Sequence, residues 1–161
     1  SSLEPTARWF IDDEPKNIVL RAERALTKGE EITISYGSKS NEELLYLYGF
    51  ALPNNPNDRV TLPVSLAPDD PLLDEKLTLL RSLDLPARLT LDRDGHLTKE
   101  SETLVKILSP PSTDSSYLLE LFEDYQKALN ASTSKSMQFV ACYLESQKSI
   151  IAKAIGSLRP S

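Results

Sequence analysis

Two phenols and a phenyl ring stand near one another in this sequence. Tyr36 closes the run Gly29-Glu30-Glu31-Ile32-Thr33-Ile34-Ser35-Tyr36-Gly37, and twelve residues later Tyr48 and Phe50 flank Gly49. Aromatic rings of this kind can wall a narrow, dry cleft, take a cation against their faces or stack on a flat heterocycle. Ile32, Ile34 and Tyr36 alternate with polar residues, which predicts a short strand carrying all three on one face. Gly37 breaks that strand and leaves the phenol at its mouth. Ser40-Asn41-Glu42-Glu43 is a capping-box pattern that starts a helix at once, and Gly49 ends it. Strand, turn and short helix would thus bring Tyr36, Tyr48 and Phe50 within reach of one another. Tyr46, between Leu45 and Leu47, reads as a packing residue.

The elements that must position these rings follow from pattern. Arg8–Ile11 and Asn17–Ala22 read as short strands separated by the turn Asp12-Asp13-Glu14-Pro15-Lys16, with a second turn at Thr27–Glu30. Trp9 is expected in a core or an interface. Residues 51 to 70 are rich in Pro and Asn, contain the extended segment Arg59–Leu62, and are where a domain boundary is expected. Asp70-Pro71 has the N-cap and first-turn chemistry of a helix start, followed by a stripe of Leu72, Leu73, Leu77, Leu80 and Leu83. Leu89 and Leu91 alternate before a turn at Asp94-Gly95. Further helices are predicted around Leu104–Leu108, around Tyr117–Tyr125 and from about Lys135 to Ile155, the last ended by Gly156. Pro110-Pro111 separates two of them. The sum is an α+β chain, a small β-rich part followed by a mostly helical one.

Composition narrows the function classes. The 161 residues hold 18 basic and 24 acidic side chains, for a formal charge of −6. No basic patch stands out, which argues against binding nucleic-acid phosphates. An acidic surface is compatible with a basic, lysine-bearing protein partner, and equally with a merely soluble one. Cys142 is the single cysteine, so there is neither an internal disulfide nor a thiolate metal site, and a small apolar packing role fits it. An intracellular compartment follows from that cysteine usage, with plastid, nucleus and cytoplasm undistinguished. No run approaches the ~20 apolar residues of a membrane span. Asn130-Ala131-Ser132 matches a glycosylation sequon but reads as a helix-end turn.

Taken together, Gly29–Gly37, Ser40-Asn41-Glu42-Glu43-Leu44-Leu45, Tyr48-Gly49-Phe50 and Asn54-Asn55-Pro56 resemble the C-terminal end of a SET domain. The subfamily is the one typified by Rubisco large-subunit lysine methyltransferase and its actin-histidine-methylating relatives. The specific part of the likeness lies in residues 29 to 58. Beyond it, the helix-rich remainder ending in Tyr143–Ile151 is similar to that subfamily's substrate-binding domain. The resemblance implies two domains, residues 1–52 as the end of a SET domain and 53–161 as a helical substrate-binding domain. It also implies S-adenosylmethionine as methyl donor. The family's Asn-His donor motif is absent, since the single histidine, His96, follows Gly95. The chain is therefore expected to be a fragment.

Residue by residue, the resemblance makes Tyr36 the catalytic tyrosine, Tyr48 a hydroxyl contact to the target nitrogen and Phe50 the ring packed against the donor's adenine. It implies no metal. The implied activity is protein-lysine N-methyl transfer. Two alternatives stand beside it: histidine as the acceptor, within the same family, and a non-catalytic protein-interaction module. Phe50 offers one ring face, worth roughly 0.5–1.5 kcal/mol, against the about 8 kcal/mol that micromolar affinity requires. The isolated chain is thus expected to bind S-adenosylmethionine more weakly than micromolar and to be catalytically silent. Titration calorimetry returning a micromolar dissociation constant would sink that expectation.

Overall fold

A computed structural model describes residues 4–12, 17–108, 116–132 and 137–159. The chain divides into two compact units, residues 1–39 and 40–161.

In the first unit, β1 (Ala7–Asp12) and β2 (Asn17–Ala22) pair antiparallel. Trp9 stands opposite Leu20 and Ile11 opposite Ile18, so all four share one face of the ribbon. All four are exposed, Trp9 by 54%, because a two-stranded ribbon supplies no second layer to cover them. Trp9 is therefore not a core residue of this unit. On the other face the Arg21 guanidinium lies 4.8 Å from the Phe10 ring centroid, a cation–π contact. The expected turn through residues 13–16 lies outside the described residues.

The expected strand from Ile32 to Tyr36 does not form: the segment is neither strand nor helix. Thr6 and Ala7 both donate their N–H groups to the Thr33 carbonyl at 3.0 Å, and Thr33 N–H donates to Thr6 Oγ1 at 2.9 Å. This clip buries Thr33 and leaves Ile32 56% exposed, the reverse of the parity that alternation suggested. A strand needs a continuous partner, and the clip at Thr33 pairs at one point. The Thr27–Glu30 turn forms as expected: Glu30 N–H donates to Thr27 O at 3.1 Å. The Arg24 guanidinium, then the Thr27 N–H, hold the Glu30 carboxyl down to about 2.

The second unit begins with α1 (Asn41–Tyr48), whose capping box is complete: Ser40 Oγ accepts from Glu43 N–H at 3.2 Å and Glu43 Oε2 accepts from Ser40 N–H at 2.9 Å. Then follow β3 (Arg59–Pro63), α2 (Leu73–Ser82), β4 (Arg88–Asp92), α3 (Lys99–Leu108), α4 (Ser116–Ala131) and α5 (Gln138–Leu158). β3 and β4 pair antiparallel with Val60 opposite Leu91 and Leu62 opposite Leu89. Strand alternation puts these four on one face, where all are at most 2% exposed, while Arg59, Thr61, Arg88 and Thr90 take the other. The apolar face merges with Ile150, Ile151, Ala154 and Ile155 of α5, Leu118 and Phe122 of α4, Leu104 of α3 and Leu80 of α2 into one core. Burying an aliphatic or aromatic side chain of this size contributes about 1.5–3 kcal/mol, which is why so small a sheet is stable here.

Three local expectations are corrected. Asp70 does not cap a helix that starts with Pro71. Its carboxylate instead accepts from Leu72 N–H at 2.9 Å and from Lys76 Nζ at 2.7 Å, and α2 starts at Leu73. Gly156 does not end α5, which runs on to Leu158. A glycine costs a helix only about 1 kcal/mol, and Leu158 packs against the core. Tyr46 is 88% exposed rather than packed, on the solvent side of α1. Pro110-Pro111 lies outside the described residues.

Gly95, in the turn after β4, has φ +84°, and a Cβ there would stand 2.6 Å from Ala154 N and 3.0 Å from Ile150 O of α5. Gly49 has φ +77° but open space around it. Gly49→Ala should therefore cost only the left-handed backbone penalty of about 1–2 kcal/mol. Gly95→Ala should add an overpacking penalty of about 1–3 kcal/mol and lower the melting temperature further. Equal losses in a thermal melt would mean that the turn does not press on α5.

Candidate functional site

Of the three aromatics singled out in the sequence, Tyr48 and Phe50 lie in the second unit and Tyr36 in the first. Tyr36 is half-buried at the end of a segment without regular structure. A tight turn follows it, with Gly37 N–H donating to Ser35 Oγ at 3.1 Å and Lys39 N–H to Gly37 O at 2.9 Å. Tyr48 and Phe50 come together where α1 ends. Gly49 takes the left-handed conformation and donates its N–H to Leu45 O at 3.0 Å, reversing the chain so that the two rings meet. Their centroids are 6.3 Å apart with planes tilted by 34°, within the range of favourable aromatic pairing. Tyr48 stays 47% exposed and Phe50 half-buried, so the pair retains surface for a flat group to stack on.

The position of this pair rests on polar residues that sequence reasoning passed over. Asn41, wholly buried, spreads its side-chain amide across both backbone groups of Leu52: Nδ2 donates to Leu52 O at 3.0 Å and Oδ1 accepts from Leu52 N–H at 2.9 Å. Asp58, 3% exposed, accepts from Asn41 N–H and from Asn41 Nδ2, each at 2.9 Å, and from its neighbour Arg59 N–H at 3.0 Å. Ser146 Oγ of α5 donates to the same carboxylate. Gln147, 1% exposed, donates Nε2 to Arg59 O at 3.0 Å. The Arg59 guanidinium donates to Glu43 Oε2 at 2.6 Å, tying the capping box to β3. Asn41 and Asp58 both fall inside the motif stretch, which was the signal available. That they are buried partners was not visible, because seventeen residues separate them.

Other reactive side chains fall elsewhere. Burial, then Glu145 and Asp58, push the Cys142 thiol up, which disfavours a nucleophilic thiolate. His96 is exposed, beside Asp92. A cleft of about 550 Å³ lies over the polar face of the β3–β4 sheet, walled by Glu42, Glu43 and Glu100 with Arg59 and Arg88. Among the described residues no group of three or more His, Cys, Asp or Glu is arranged to hold a metal ion, and no helix is long and apolar enough to cross a membrane.

No protein-family model matches the chain. Among curated proteins it is 43% identical over 75 residues to the ribosomal lysine N-methyltransferase set10 of Schizosaccharomyces pombe, covering 46% of this chain and 14% of that protein. It is 38% identical over 76 residues to the actin-histidine N-methyltransferase of Drosophila melanogaster (47% and 14%). With the chloroplastic Rubisco large-subunit N-methyltransferase of Pisum sativum it shares 30% identity over 108 residues (65% and 22%). The chain thus spans less than a quarter of the length of these relatives. Among solved structures, Rubisco LSMT bound to sinefungin and monomethyllysine superposes with a TM-score of 0.60 at 18% identity, over 88% of this chain and 44% of that one. The same enzyme bound to AdoMet gives 0.57 at 19%, over 81% and 41%. These similarities bear out the resemblance drawn from residues 29 to 58, and the structural match bears out the α+β fold.

Tyr143 of α5 is half-buried, and burial, followed by Tyr125, Glu42 and Asp58, raises its phenol to about 12. The unfolded chain releases that proton near 10. Stability from this group is therefore complete below about pH 10 and lost as pH climbs through about 12. Tyr143→Phe should flatten the alkaline fall in melting temperature across that window. An unchanged alkaline slope would exclude Tyr143 as its source.

Proposed function

We propose that this chain belongs to an S-adenosylmethionine-dependent protein-lysine N-methyltransferase of the SET-domain, Rubisco LSMT-like type. In this reading residues 1–52 are the C-terminal part of the SET domain and residues 53–161 the helical substrate-binding domain. The observation that carries it is the identity to a ribosomal lysine methyltransferase over nearly half the chain, on a fold shared with Rubisco LSMT. The partner is then a lysine-bearing protein. The residues present fit the donor, because the Tyr48–Phe50 pair keeps an aromatic surface open at the end of α1.

When bound, the donor supplies a sulfonium-borne methyl group for in-line attack by an amine. The protein's part is to present that amine uncharged and aligned. A free lysine titrates near 10.4, so at neutral pH about one side chain in a thousand is neutral. Aromatic walls shift that balance, since desolvation disfavours the ammonium form. The Tyr36 hydroxyl orients the nitrogen lone pair along the line of attack. The Tyr48 hydroxyl makes a second contact to the target nitrogen. Phe50 offers its face to the donor's adenine. Histidine as acceptor is the second reading, favoured by the 38% identity to an actin-histidine methyltransferase. Assaying methyl transfer to lysine- and histidine-bearing substrates separates the two.

In the complete natural protein, Tyr36→Phe keeps the ring and removes one hydroxyl. Turnover should fall by roughly 10²-fold, while donor affinity stays within about twofold. Phe50→Ala should show the opposite balance, weakening donor binding by roughly 3- to 10-fold first. Tyr46→Phe, on the exposed side of α1, should be silent. A Tyr36→Phe enzyme with unaltered turnover on its own substrate would reduce Tyr36 to a packing residue and remove the main support for this mechanism.

A further inference from the structure

We infer that Ser146 of α5 is a positioning residue for Phe50, acting through the buried pair Asp58 and Asn41, so that docking of the last helix sets the donor-facing ring. The inference rests on the proposed role of Phe50. It starts from what holds the backbone just past that ring. After Gly49 the chain leaves α1 in the left-handed conformation, and Phe50, Ala51 and Leu52 belong to no helix or strand. Two residues past the ring, Asn41 clamps Leu52 by both its N–H and its carbonyl, at 2.9 and 3.0 Å. Two bonds to one residue, through the peptide units on either side of its Cα, fix its direction as well as its place.

An asparagine amide can make that clamp only when it faces the right way round. Asp58 sets that orientation together with Asn55, whose Nδ2 donates to Asn41 Oδ1 at 3.3 Å. A carboxylate only accepts, so Oδ2 must face the Asn41 NH₂, which turns Oδ1 of Asn41 toward Leu52 N–H. Asp58 in turn takes four donors: Asn41 N–H and Nδ2, Arg59 N–H and the Ser146 hydroxyl. Three of them come from residues 41 to 59. Among the described residues Ser146 is the one donor from a distant part of the chain, 88 residues on, and its neighbour Gln147 holds the adjoining Arg59 carbonyl at 3.0 Å. Ser146 and Asn41 share the same carboxylate oxygen, so losing the serine loosens the oxygen that orients Asn41. The series Ser146, Asp58, Asn41, Leu52 runs from the helical core to a residue two positions past Phe50.

The test uses Ser146→Ala in the complete protein. Hydrogen exchange is measured first without donor. The Leu52 amide should exchange roughly tenfold faster, while the amides of α2 keep their protection; Ser146→Thr, which retains a hydroxyl, should restore slow exchange. Donor titrations then form a double-mutant cycle. Ser146→Ala should weaken S-adenosylmethionine binding by roughly 3- to 10-fold when Phe50 is present and add nothing in the Phe50→Ala background. Unchanged Leu52 exchange, or an equal loss of affinity in both backgrounds, overturns the inference. Phe50→Ala binding donor normally would instead overturn the proposed role of Phe50, and the Leu52 exchange rate would still decide whether Ser146 governs that peptide.

Discussion

Asn41 and Asp58 form the contact on which the second unit depends. A fully buried amide and a nearly buried carboxylate are tolerable only when every polar atom finds a partner, because an unpaired buried group costs about 1–3 kcal/mol. Here the requirement is met by two backbone segments and α5 together. Because these bonds converge on one amide and one carboxylate, the pair favours one arrangement of α1, the loop after it and the last helix. Hydrophobic burial supplies most of the stability, but it is non-directional. The polar pair supplies direction.

Around that contact the rest is layered simply. β3 and β4 turn Val60, Leu62, Leu89 and Leu91 inward, and four helices close over them. The opposite face of the same sheet carries charge and hydroxyls toward the open cleft beside α1. One short sheet therefore separates a dry side, which holds the helices, from a polar side next to the capping box. The Arg59–Glu43 pair crosses between sheet and helix, at 41% and 32% side-chain exposure. Its contribution is accordingly modest, and it adds register more than energy.

Compactness and motif divide the chain at different places. The compact units part between residues 39 and 40, because the Asn41–Asp58 bonds stitch α1 onto the helical part. The proposed domains part after residue 52, because the aromatic motif runs through Phe50. The first is a division by packing, the second a proposal from motif. The helix bearing Tyr48 is packed in the same unit as the four later helices.

Sequence by itself determined what depends on neighbours along the chain. The capping box at Ser40, the stop at Gly49, the β1 and β2 strands, the alternation of Leu89 and Leu91 and the helix-end turn at Asn130–Ser132 are local patterns with local causes. The aromatic string was legible for the same reason, because its residues lie within fifteen positions of one another. Tertiary structure decided what depends on distant partners. Ile32–Tyr36 alternates like a strand, but forming one requires a second strand beside it. Gly156 looked like a helix end until Leu158 packed on the core. Tyr46 has the character of a packing residue, but only the packing of α1 shows which of its sides faces water. Asn41, Asp58, Ser146 and Gln147 are unremarkable polar residues in the sequence, where polarity says nothing of burial. They become partners only when residues 17 and 88 positions apart are brought into hydrogen-bond range, and hydrogen bonds reach only about 3 Å.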